Sequence, residues 1–134
     1  MELTPTMILS SRRGGSSATV LITALIVIGL AGCGGMPSDD PVENGQWLAK
    51  RYCVTCHGAE DTSFGPSLRD LAGTEVTLAD GATRLRDRAY FEQAITDPWS
   101  EVVEGYGRTM LKNSYAAEEV HALLEWLEAG APGP

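Results

Sequence analysis

Three features of the 134-residue sequence predict an all-α domain: apolar residues at helical spacing in three segments, no sustained strand alternation, and long glycine-bearing loops between the helical segments. Val42 to Tyr52 reads as the first helix, with Trp47, Leu48 and Tyr52 on neighbouring positions of one face and Glu43 at the positive end of the dipole. Residues 58–83 hold four glycines and one proline among aspartates and threonines, and read as loops with at most short helical turns. Asp87 is placed to cap a second helix covering Tyr90, Phe91, Ala94 and Ile95, which Pro98 stops. Gly105 and Gly107 mark another loop. Ala116 to Ala129 forms the clearest helix, with Val120, Leu123, Leu124 and Leu127 as one stripe and Gly130 at its end. Loops this long are unusual in a bare compact domain and need something large and apolar to pack around.

The first third of the chain has a different character. Residues 1–17 are polar, and Arg12 and Arg13 are the only basic residues before Lys50. Ala18 to Ala31 is a 14-residue run, apolar apart from Thr19, Thr23 and Gly29. It falls short of the roughly 20 residues a membrane-spanning helix needs. A positive start, an apolar middle and small residues after it describe an export signal. Leu30-Ala31-Gly32-Cys33 resembles the lipobox of bacterial lipoproteins, with Cys33 acylated and the peptide cut before it; an ordinary cleaved signal or an uncleaved anchor is the alternative. An unpaired exposed cysteine in an oxidising compartment favours lipidation. The expected division is a signal peptide over 1–32, a flexible tether over 33–41 rich in glycine, proline and acid, and a domain over 42–134.

The whole chain carries 10 basic and 18 acidic side chains. Without Glu2, Arg12 and Arg13 the mature form would keep 8 and 17, a formal charge of −9. That acidity argues against a nucleic-acid partner.

Cys53-Val54-Thr55-Cys56-His57 is the strongest chemical signal. Two thiols separated by two residues match the two vinyl groups of one porphyrin, and the next residue then lies beneath the ring, where an imidazole binds iron. This is the haem c attachment pattern, and it implies one covalent haem per chain. A zinc site would need further ligands, and outside the motif only Cys33 and His121 remain. A thioredoxin-like pair would need a βαβ context. A simple structural disulfide stays open.

The second axial ligand is sought by elimination. Cleavage would remove Met1 and Met7, leaving Met36 in the tether and Met110 in a glycine-bearing loop 53 residues after His57. Met110 is the candidate. The alternatives are that Met110 is core filler, or that His121 binds iron; His121 flanks the apolar stripe beside Glu118 and Glu125 and reads as a surface residue.

In its motifs the chain resembles class I cytochromes c across residues 42–130, and within that class the cytochrome domain fused to subunit II of caa-type haem–copper oxidases. The resemblance rests on Cys53–His57, Gly65-Pro66-Ser67-Leu68, Asp80-Gly81, the segment Tyr90 to Pro98, Val102 to Tyr106, and Met110. It implies that the Pro66 carbonyl accepts a hydrogen bond from His57, that Leu68 and Leu71 line the haem pocket, and that Gly45 and Trp126 meet where the terminal helices cross. Two departures stand out: Leu111 follows Met110 where the family usually has proline, and no copper-binding domain accompanies the cytochrome, so a stand-alone lipoprotein is expected.

Histidine–methionine ligation leaves iron no vacant position, so the expected function is electron transfer and not catalysis. The expected partners are membrane-bound electron donor and acceptor complexes, with a lipid anchor through Cys33 and no nucleic acid or small-molecule substrate. The expected place is the periplasm or the cell-surface side of a bacterial membrane. Lys50, Arg51, Arg108 and Lys112 would form a basic rim near the haem edge that orients docking, or are ordinary solvated charges. A fixed subunit of a larger respiratory complex is the alternative, as is a haem sensor or enzyme if Met110 does not bind iron.

Overall fold

The computed structural model describes residues 36–133. Helix α1 spans Pro41–Tyr52, strands β1 (Glu75–Thr77) and β2 (Thr83–Leu85) pair antiparallel, α2 spans Arg88–Thr96 and α3 spans Ala117–Glu128. The three expected helices are present, so the architecture is mostly helical with long loops. None of them is long and apolar enough to cross a membrane.

Each helix starts and stops for a local reason. Asp40 accepts a hydrogen bond from Val42 N at 2.8 Å, Pro41 occupies the first helical position, and Lys50 and Arg51 fill the last turn. Asp87 caps α2 through Tyr90 N at 2.9 Å. In α3 the Glu119 carboxylate reaches back to Ala116 N at 2.9 Å, and Gly130, at φ 85°, ends the helix.

The chain between Met36 and Asp40 is part of the domain. Asn44, buried to 5% exposure, accepts a hydrogen bond from Ser38 N at 3.0 Å and donates one to Ser38 O at 2.7 Å. Met36 packs against the core. The Ser-Asp-Asp-Pro composition that reads as a solvated tether is here a helix cap. The expected signal over 1–32, Cys33, and the start of the tether lie outside the described residues.

The core forms where α1 crosses α3. A Cβ on Gly45 would lie 2.1 Å from Ala122 O and 2.5 Å from Trp126 Cβ, so only glycine admits this approach. Leu48 and Trp126 are fully buried there. The buried face of α1 is Asn44, Gly45, Leu48 and Ala49; of the Trp47–Leu48–Tyr52 face that the sequence suggests, Leu48 alone is buried. Close helix contact demands small side chains, so the aromatic rings move to the flanks: Trp47 lies beneath the Arg51 guanidinium, and Tyr52 packs edge-on against Tyr115. From α2, Tyr90, Phe91 and Ile95 complete the core against Leu123, Leu124 and Leu127.

The antiparallel pair corrects the all-loop reading of 58–83. Its strands have three residues each, too few to show alternation, and the turn is made by Gly81 at φ 85° with Asp80 accepting from Ala82 N at 2.9 Å. Val76 and Leu78 point into the core, and Leu78 bridges to Val103.

Candidate functional site

Helix α1 delivers the attachment motif. Its last turn continues through Cys53 N to Ala49 O at 2.8 Å, and a tight turn follows, with Cys56 N and His57 N both bonded to Cys53 O at 3.0 and 2.9 Å. This turn carries both thiols and the imidazole to the wall of one cavity. Cys53 is half-buried and Cys56 exposed, and both are free thiols. Burial, with a smaller contribution from Cys56, pushes the Cys53 thiol up to about 11, so it stays protonated at neutral pH.

His57 is fixed on two sides. Its Nδ1 lies 2.7 Å from Pro66 O, which assigns the ring proton to Nδ1 and leaves Nε2 as the free nitrogen. The backbone of Gly65 packs against the imidazole, where a Cβ would come within 2.5 Å of Cε1. Thr62 braces this loop: its hydroxyl donates to Cys56 O at 2.6 Å and accepts from Phe64 N and Gly65 N at 3.1 and 3.2 Å. Nothing in the sequence marks Thr62, a lone threonine in a polar loop. Leu68 and Leu71 line the cavity with Phe91, Ile95, Val103 and Leu127.

Met110 lines the same cavity from the segment that follows Gly107. Thr109 Oγ1 donates to Phe64 O at 3.1 Å, joining this segment to the loop that holds His57. The other candidate ligands lie elsewhere. His121 is exposed on α3, where its Nδ1 lies 3.1 Å from Arg88 Nη2 and 3.7 Å from Glu125 Oε1. Met36 packs on the core without lining the cavity, and Cys33 lies outside the described residues. No group of three or more His, Cys, Asp or Glu able to hold a metal ion occurs among the described residues.

The expected basic rim is smaller than its four residues suggest. Lys112 pairs with Asp97 and lies 4.8 Å from the Trp99 ring centroid. Arg51 covers Trp47 and Tyr52. Lys50 and Arg108 are exposed. The cavity mouth also presents apolar residues to solvent: Tyr52, Phe64 and Leu111 are 48, 59 and 73% exposed.

The donor set fits a covalently attached haem. Two thiols at two-residue spacing, an imidazole with its outer nitrogen engaged and its inner one free, and a thioether share an apolar cavity. The family model for cytochrome c matches residues 42–130 of the chain. No curated protein matches it.

Proposed function

Because the chain belongs to the cytochrome c family, a family of electron carriers and not of enzymes, we propose that it is a single-electron carrier whose haem is held by Cys53 and Cys56 and ligated by His57 and Met110. The observation that carries this reading is the meeting of the attachment turn, the Pro66-oriented imidazole and Met110 around one apolar cavity. When bound, haem supplies an iron that exchanges one electron between its ferrous and ferric states.

The chain's own residues do the rest. Cys53 and Cys56 would hold the haem covalently through thioethers at the end of α1. Pro66 O keeps the His57 proton on Nδ1, so Nε2 remains a neutral donor, and the hydrogen bond strengthens it as a ligand. Met110 would supply a thioether as the second protein ligand to the iron, which would leave no open position for substrate or oxygen. Leu68, Leu71, Phe91 and Ile95 line the cavity and would exclude water from the haem, which would favour the less charged ferrous form.

Docking takes place at the cavity mouth, where Tyr52, Phe64 and Leu111 are exposed and Lys50 and Arg108 supply the basic charge on an acidic body. Small, weak interfaces of this type suit partners that must part after each transfer. We place the protein on the outer side of a bacterial membrane, anchored through a lipid on Cys33 and exchanging electrons with membrane-bound complexes. Supporting this are the apolar run 18–31 and the Leu-Ala-Gly-Cys sequence that ends at Cys33.

The test is an absorption spectrum of haem-loaded protein, wild type and Met110→Ala. Covalent low-spin haem is expected, with a weak long-wavelength methionine–iron band that the variant loses. A high-spin wild type, or one that binds carbon monoxide without displacing a ligand, would replace the carrier with a sensor or enzyme.

A further inference from the structure

The segment 107–115 donates no backbone–backbone hydrogen bond and accepts none among the described residues. Its flanks do: Tyr106 N bonds to Val103 O at 3.1 Å, and Glu119 N and Val120 N bond to Ala116 O at 3.0 Å. A stretch without its own ladder is positioned by what its carbonyls and side chains meet. On Met110 itself there is one such bond. Trp99 Nε1 donates to Met110 O at 3.0 Å.

Trp99 is well placed to act as an anchor because it lies within a turn that its neighbour Ser100 closes against the end of α2. Ser100 N donates to Asp97 O at 3.1 Å, Ser100 Oγ to the same oxygen at 2.7 Å, and Gln93 Nε2 to Ser100 Oγ at 2.7 Å. The ammonium of Lys112 lies over the Trp99 ring and pairs with Asp97. The end of α2 thus grips the chain on both sides of Leu111, through Trp99 at Met110 and through Asp97 at Lys112. Trp99 is 42% exposed and sits outside the apolar core, so packing alone does not explain an indole here.

We infer that Trp99 is the positioning residue of Met110: its indole N–H fixes the Met110 carbonyl and thereby keeps the thioether at the haem iron. The inference rests on the reading of Met110 as the second axial ligand. Fixing the backbone at the ligand itself restricts the dihedrals that would swing the sulfur away, and so disfavours replacement of Met110 by an outside ligand.

The test uses the ferric haem-loaded protein, titrated with imidazole while the methionine–iron band is followed. Trp99→Phe keeps a ring beneath Lys112 and removes the donor. Its methionine is expected to be displaced at about 3- to 10-fold lower imidazole than in the wild type, the range one net hydrogen bond supports. The indole isostere benzothienylalanine at position 99, with sulfur in place of N–H, is expected to behave alike, and serves if the phenylalanine variant accumulates poorly. A role in stability alone would lower the denaturation midpoint and leave the imidazole titration of folded protein unchanged. An unchanged titration with the band present overturns the role of Trp99. A wild type without the band overturns the ligand assignment, and this inference with it.

Discussion

Gly45→Ala tests the helix crossing that holds the fold together. The new methyl would sit 2.1 Å from Ala122 O and 2.5 Å from Trp126 Cβ. Ordinary carbon contacts need about 3.5 Å, so α1 and α3 must part by roughly 1 Å. Both obstacles are backbone or backbone-attached atoms, and no side chain can swing aside. Parting the helices loosens the packing of Leu48 and Trp126, both fully buried. Overpacking of this severity costs about 3 kcal/mol, the upper part of the usual range. Alanine returns about 1 kcal/mol of helix propensity. The net loss is therefore about 2 kcal/mol, or on the order of 10 °C in Tm for a domain of this size. Guanidinium and thermal unfolding of the haem-loaded protein measure it directly. A midpoint equal to or above the wild type would refute the reasoning, since propensity would then be the larger effect.

Gly65→Ala places a methyl within 2.5 Å of the His57 ring, and should displace the imidazole from Pro66 O; the fraction of low-spin holoprotein is expected to fall, and an unaltered spectrum would contradict the close packing. In the haem-free chain, the Cys53 thiol is raised by burial from 9.0 to about 11, so folding favours its protonated form. The stability this contributes is complete below pH 9 and is lost as pH climbs to about 11. Denaturation midpoints against pH should show that loss, and Cys53→Ala should remove it while leaving the contribution of Tyr90, which burial also raises, and reducing that of Tyr115, which burial raises first and the nearby Cys53 raises further. In the haem-loaded protein the thioether has no proton to lose, and the Cys53 contribution should vanish there too. Reversing Lys50 and Arg108 to glutamate should slow electron transfer to a membrane-bound partner at low salt and less so at high salt; rates insensitive to the reversal would remove these residues from the docking surface.

What could be read from the sequence follows the range of the interactions involved. The attachment motif, the Asp87 cap and the Gly130 stop are local signals, each carried by a few adjacent residues, and each lies where expected in the structure. The buried face of α1 could not be read the same way. Hydrophobicity points to Trp47 and Tyr52, yet the crossing of α3 selects Gly45 and Ala49 for their size, a constraint set by a helix some 70 residues away. Polar composition misleads at Ser38 to Pro41, because the residues that solvate a linker are the same ones that cap a helix. The β1–β2 pair is too short to have a period. At the site, Cys53, Cys56, His57 and Met110 carry chemistry in their side chains and so stand out. Thr62, Thr109 and Trp99 act through backbone carbonyls 6, 45 and 11 positions away, and no sequence pattern marks them.

Asn44 and Gln46 sit two positions apart on α1, and each holds one end of the domain. Asn44 takes the incoming chain at Ser38, while Gln46 donates to the carbonyls of Pro132 and Gly133 as the chain leaves. Entry and exit therefore converge on a single helix. A unit whose ends meet in this way behaves as a cassette: it can be appended to another protein, or spliced into a surface loop, with little distortion of its host. Fusing it head to tail, or carrying it on the end of a larger subunit, leaves its own three-dimensional wiring untouched.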